Sequence, residues 1–162
     1  MGLRRHIVPI ALVLVFLLLA RQIYPYSTPS NDVLVDGYEI EKVAGGLGGP
    51  TCIEWDESGN LLMCDRDGDR IILFNTSNDF SQSTIVEDLD NPHGIHITNE
   101  HLFISESGKL SRYDRGIDWQ LTNRSVLIDN VPTGNHQTNA INALPNGSLI
   151  WHVGSTCNVC QE

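Results

Sequence analysis

The sequence predicts an all-β fold: a β-propeller of which about the first three blades are present, preceded by a hydrophobic N-terminal helix. Three observations carry this expectation. One plan recurs three times, with Ile53, Ile95 and Ile141 opening equivalent strands 42 and 46 residues apart, close to the period of propeller blades. Within each unit apolar and polar residues alternate in short runs, as in half-buried strands, and glycine-containing turns separate the runs. No amphipathic helix pattern follows residue 32.

Taken in order, the chain begins with Arg4 and Arg5 ahead of an apolar run of fourteen residues, Ile7 to Ala20. That is the pattern of an export signal, and it is shorter than the ~20 residues that span a bilayer comfortably. Leu18-Leu19-Ala20 lacks the small-x-small spacing of a cleavage site, so residues 1–23 read either as a signal peptide or as an uncleaved membrane anchor. In both cases the arginines stay on the cytoplasmic side. The rest is expected to be extracytoplasmic, periplasmic or at the cell surface, and tied to the membrane only if the segment is uncleaved. Residues 24–36, with Pro25 and Pro29, read as a linker, and residues 37–162 as the partial propeller.

The first unit, Gly49 to Phe74, places Ile53 and Trp55 on one apolar face, then an Asp56–Asn60 turn and a strand from Leu61 to Cys64. A charged turn, Asp65-Arg66-Asp67-Gly68-Asp69, leads into a third strand, Arg70 to Phe74. The second unit repeats this with Ile95 and Ile97, Leu102 to Ser105, and Lys109 to Tyr113. In the third, Ile141 and Ala143 precede a Pro145-Asn146-Gly147 turn and a strand from Leu149 to Val153. Ser83 to Asp88 and Ser125 to Asp129 would supply outer edges. Propellers close with about four to eight blades. Three units therefore predict the N-terminal portion of a longer protein, or a chain that needs a partner to close its sheet edges.

The formal charge is −10, and residues 1–31 contribute three arginines and no acid, leaving 20 acidic against 7 basic residues in the remainder. Nucleic-acid binding, which needs a basic footprint, is excluded as a main role, and the acidity reads as a solvated surface. Four cysteines behind an export signal point to disulfides. If Asp56–Asn60 closes a hairpin in the simplest register, Cys52 stands opposite Cys64; the alternative is two buried thiols. Cys157 and Cys160 allow a local disulfide, a redox dithiol or a metal clip. Gln161 stands where covalent haem attachment needs a histidine, and zinc would need a second ligand pair.

The stretch from Gly134 to Cys160 sets His136, flanked by Asn135 and Gln137, just ahead of a hairpin. This segment resembles the part of the glucose/sorbosone dehydrogenase family, the soluble quinoprotein sugar dehydrogenases, that carries a base histidine. GLGGPTCIEWDESGNLLMCDRDGDRIILF and NPHGIHI are similar to the family's preceding blade openings, in the same order, so the resemblance covers most of residues 38–161. It implies a six-bladed propeller that binds pyrroloquinoline quinone (PQQ) with calcium in its central depression, oxidises an aldose or related sugar and passes electrons to an external acceptor. His136 would be the general base, since a neutral imidazole with a pKa near ~6.5 accepts a proton at ordinary pH. Asn135 stands where some members carry an acid. Asn135, Gln137, Arg66 and His93 are the candidate cofactor contacts, Arg66 as a partner for a quinone carboxylate.

The resemblance also implies that most calcium ligands and basic quinone contacts lie beyond Glu162, so the stretch alone is expected to be inactive. Asp65–Asp69 lacks the oxygen-donor spacing of a calcium loop. His136 equally fits a polar loop residue capping a strand, and His96 is expected to face solvent or a neighbouring blade. The competing reading is a non-catalytic propeller that binds protein or glycan partners, because one scaffold hosts many functions.

Overall fold

The computed structural model describes residues 35–134, 136 and 139–157. The signal-or-anchor segment, most of the linker, Asn135, Gln137 and Cys160 therefore lie outside the described residues. Among the described residues no helix is long and apolar enough to cross a membrane. Beyond Lys42 the chain forms one compact unit.

Strands β1 (Pro50–Trp55), β2 (Leu61–Asp65), β3 (Arg70–Asn75) and β4 (Ser81–Val86) form one four-stranded meander. Strands β5 (Gly94–Ile97), β6 (His101–Glu106), β7 (Lys109–Arg115) and β8 (Leu121–Ile128) form a second, and β9 (Ile141–Ala143) pairs with β10 (Leu149–Trp151). Every pairing is antiparallel. The charged turn of the first unit is a short 3-10 turn, Arg66–Gly68, closed by Asp69 at φ 51°. Aspartate enters that left-handed region more readily than most side chains.

The first strands of successive sheets run side by side. Near the start of β1 the Thr51 hydroxyl donates to the Pro92 carbonyl at 2.8 Å, and towards its end Glu54 Oε1 accepts the Ile97 amide at 3.2 Å. Gly94, opening β5, sits so close to Asn139 that a Cβ would collide with its carbonyl oxygen. Antiparallel meanders whose first strands are neighbours are the arrangement of propeller blades.

Strand alternation sorts the connections into two ends. The Arg66–Gly68 turn, residues 87–93, the turn at Ser107 and Gly108, and the described residues of the 129–140 connection share one end, the mouth. The turns at residues 56–60, 76–80, 98–100, 116–120 and 144–148 share the other.

The main core lies between the two large sheets. Leu62, Cys64, Ile71 and Val86 from the first, with Leu89 of the connection that follows it, share a cluster with Ile95, Leu102, Ile104 and Tyr113 from the second and Trp119 from the turn between β7 and β8. Leu62, Ile71, Leu102 and Ile104 are fully buried, each contributing about 1.5–3 kcal/mol by leaving water. A smaller cluster, Met63, Ile72 and Phe74, covers the other face of the first sheet with Ala44 and Leu47 against it. The apolar face of β1 does not join the core between the sheets: Ile53 and Trp55 are 64% and 57% exposed. It is Cys52 and Glu54, on the opposite face of the strand, that turn toward the second sheet.

At the far end two side-chain links lock the sheets together. Buried Asp56 accepts the amides of Ser58 and Asn60 at 2.9 and 2.7 Å, the Asn60 side chain at 3.0 Å and the Trp119 indole N–H at 3.1 Å. Burial alone would raise its pKa, but these donors outweigh burial and hold the carboxyl below its ordinary value. Beside it Arg115 forms a two-pronged pair with Glu57 at 2.9 and 2.7 Å and lies 4.0 Å above the Trp119 ring.

The hairpin register read from the sequence is realised. Cys52 and Cys64 are partners across β1 and β2 and are joined by a disulfide with Cα atoms 5.1 Å apart. Cys157 is also disulfide-bonded. The outer strands differ from expectation: β4 begins at Ser81 and β8 at Leu121, earlier than the apolar pattern indicated. His96 does face the neighbouring sheet, 3.1 Å from Glu54. Burial raises the Glu54 pKa, partly offset by the Ile97 amide and His96.

Candidate functional site: the cavity at the mouth

The mouth rests on two buried carboxylates, Asp65 at the end of β2 and Glu106 at the end of β6. Each directly precedes a glycine-containing turn, so each chain reversal starts from a fixed, charged anchor. Asp65 Oδ1 accepts the amides of Gly48 and Gly49 at 2.7 and 2.9 Å, while Oδ2 accepts Nε and Nη2 of Arg70, both at 2.9 Å. Burial pushes the Asp65 pKa up, yet the Gly49 amide, Arg70 and the Gly48 amide more than reverse this and the net direction is down. Glu106 pairs with Arg124 at 2.6 Å and accepts the Ser111 hydroxyl at 3.1 Å and the Asp90 amide at 3.0 Å. Its backbone carbonyl accepts the buried Asn139 side chain at 3.1 Å. That bond ties the 129–140 connection to the second sheet.

Above these anchors the loops border an open polar cavity of about 590 Å³ lined by Arg66, Asp67, Asn91, His93, Ser107, Thr133 and Gly134. All four mouth connections contribute. Gly134 is packed against the Thr156 backbone, leaving no room for a side chain. Two of the residues singled out in the sequence, Arg66 and His93, are thus brought to one wall although they lie in different units.

His93 Nδ1 is 2.6 Å from the Asn91 carbonyl oxygen. A carbonyl only accepts, so Nδ1 carries the hydrogen, and in the neutral ring Nε2 is left as an acceptor. Arg66 Nε donates to Asp67 Oδ1 at 2.6 Å, with the two side chains 41% and 51% exposed. This bond raises the Arg66 pKa and lowers that of Asp67. That bond uses Nε alone, so the Nη groups of Arg66 keep their N–H donors for an anionic ligand.

His136 occupies a turn in the same connection, two residues beyond Gly134, and is exposed. It is not among the lining residues. Asn135 and Gln137 lie outside the described residues. Sequence reasoning missed Asn91, Ser107 and Thr133 on the wall and the two buried anchors beneath it. The one available signal was the acid that stands ahead of a glycine turn in both large units.

The family model described as TrAA12-like matches residues 32–162. No curated protein matches the chain. Among solved structures the chain is similar to the holo form of the PQQ domain of pyranose dehydrogenase from Coprinopsis cinerea, with 25% identity, a TM-score of 0.64, and coverage of 72% of this chain and 30% of that one. It is also similar to the Trichoderma reesei carbohydrate-active enzyme of family AA12, at 20% identity and TM-score 0.64, covering 78% of this chain and 35% of that one. A third likeness is to PQQ-bound aldose sugar dehydrogenase from Streptomyces coelicolor, at 18% identity and TM-score 0.56, covering 68% and 39%. The chain spans between 30% and 39% of the length of these three structures. The resemblance read from the His136 segment and the two upstream blade openings is thereby borne out.

Proposed function

Because the chain belongs to the TrAA12-like family, we propose that it is part of an exported quinoprotein oxidoreductase that oxidises an aldose or related sugar. In this reading residues 37–162 contribute about three blades of a six-bladed propeller, and residues 1–23 direct export or anchor the protein. The observation that carries the proposal is the cavity at the mouth, where loops from successive sheets gather Arg66 and His93 on one wall with Gly134, which lies two residues ahead of His136 in the same connection. The Cys52–Cys64 bond supports an oxidising, exported setting.

The lining groups fit an anionic quinone. Arg66 offers a guanidinium for a carboxylate, Asn91, Ser107 and Thr133 offer amide and hydroxyl donors, and His93 presents a ring of fixed tautomer. When bound, PQQ would supply a hydride acceptor for the sugar carbon. His136, in the same connection, would take the proton from the sugar hydroxyl, and its exposure leaves it open to a substrate arriving from solvent. Calcium does not fit the described residues: Asp67 is the lone carboxylate on the wall, and no group of three or more His, Cys, Asp or Glu side chains gathers among them.

The test is a titration of the whole gene product with PQQ, read by quenching of tryptophan emission, followed by dye reduction with a panel of aldoses. Arg66→Ala is expected to weaken quinone binding about tenfold or more. His136→Ala is expected to leave quinone affinity unchanged and lower kcat by about 10²–10⁴. Turnover undiminished in His136→Ala would falsify the base assignment. An absence of quinone binding would favour the alternative of a propeller that recognises protein or glycan partners.

A further inference from the structure

Asparagine followed by any residue but proline and then serine or threonine is the acceptor pattern for N-linked glycans, and it needs a surface position to be used. The pattern occurs three times in the sequence, at Asn75, Asn123 and Asn146, each with serine in the third place. All three asparagines are exposed. Their placement in the fold is not scattered. Asn75 ends β3 at the end remote from the cavity, and Asn146 stands in the β9–β10 turn at that same end. Asn123 is the third residue of β8, which starts from there, and it sits at an irregularity where β8 runs out of step with β7. Asn91 and Asn130, on the mouth connections, lack the pattern.

We propose that Asn75, Asn123 and Asn146 are N-glycosylation sites, so that the sugar coat clothes the end of the sheets opposite the cavity and leaves the mouth open. The proposal rests on the export reading above. In the transfer, the asparagine Nδ2 attacks the anomeric carbon of a lipid-diphosphate-linked oligosaccharide. An N–C bond forms, the bond from that carbon to the phosphate oxygen breaks, the lipid diphosphate leaves with its electron pair, and the amide nitrogen gives up one proton. The local chemistry tolerates the product. The Asn123 side chain donates to Asp114 Oδ2 at 3.0 Å, and a glycosylated amide keeps one N–H for that bond. Asn146 uses its oxygen, accepting the Ser148 amide at 3.0 Å, in the side-chain turn typical of asparagine, whereas the transfer uses its nitrogen.

Translation of the chain in the presence of endoplasmic-reticulum microsomes tests this with two separate readouts. Protection from added protease reports entry into the lumen, and mobility steps removed by endoglycosidase report glycans. The expected result is a protected chain with three steps, reduced to two by each of Asn75→Gln, Asn123→Gln and Asn146→Gln. A protected chain with no endoglycosidase-sensitive step overturns the assignment and leaves export standing. A chain digested from outside overturns both.

Discussion

Replacement of Asp65 by asparagine tests the claim that a buried carboxylate holds the mouth in shape. Asparagine keeps the size of the side chain and removes its charge. With its oxygen toward Gly48 and Gly49, the new amide nitrogen faces Nε and Nη2 of Arg70, so two charge-assisted bonds are lost and donors are set against donors. Bonds to charged groups contribute about 1.5–3 kcal/mol each. Arg70 is 34% exposed and can be partly rehydrated, which lowers the expected destabilisation to about 2–4 kcal/mol. In a domain of this size that is a fall in Tm of roughly 10 °C. Urea denaturation at neutral pH measures it, with an unchanged slope indicating loss of stability rather than a changed denatured state.

The pH dependence gives a second, independent reading. Asp65 has a native pKa below its ordinary value of 3.8, so its contribution is fully present above that value and disappears as the pH falls through the lower native one. Since asparagine imitates the protonated acid, the difference between wild type and Asp65→Asn should be constant from pH 7 to about 5 and close in stronger acid. A variant within about 0.5 kcal/mol of wild type at pH 7, or a difference that does not shrink in acid, would refute the reasoning.

Three further outcomes are expected. Removing the Cys52–Cys64 bond by the double change to alanine should cost about 3 kcal/mol, seen as a lower urea midpoint that reductant shifts less than it shifts that of the wild type, since the Cys157 disulfide remains. Trp119→Phe deletes the indole donor to buried Asp56 and should destabilise by about 1–2 kcal/mol. Because it acts at the far end, isothermal titration should find quinone affinity unaltered. Gly94→Ala drives a methyl group into the Asn139 carbonyl and should cost about 1–3 kcal/mol. It should also weaken quinone binding by displacing the connection that carries Thr133 and Gly134, and a crystal structure of the variant would show that displacement.

What the sequence revealed and what it hid follow from the range of each interaction. The Cys52–Cys64 pairing was legible because strand side chains repeat every two residues and a tight Asp56–Asn60 turn fixes the register. The starts of β4 and β8 were not. Ser81-Gln82-Ser83-Thr84 and Leu121-Thr122-Asn123-Arg124 are mostly polar edge segments whose backbone pairing, rather than any apolar alternation, makes them strands. The apolar alternation of Ile53 and Trp55 announced β1 correctly, yet gave no sign that this face stands outside the core between the sheets. Arg66 and His93 were each readable as candidates, but their meeting on one wall depends on both loops reaching the same end. The link from Asp56 to Trp119 spans 63 positions and has no local signature at all.

The placement of the main core has a practical corollary. Leu62 and Ile71 share one buried cluster with Leu102 and Ile104, so the main core is built jointly by both large sheets and the first sheet keeps only the smaller Met63, Ile72 and Phe74 cluster to itself. Severing the chain within residues 87–93 would yield two halves, each with a greasy flank bared to water and too little else to offset the entropy of folding. Such halves should be insoluble apart and soluble when produced together, which makes this connection a natural place to build a split reporter.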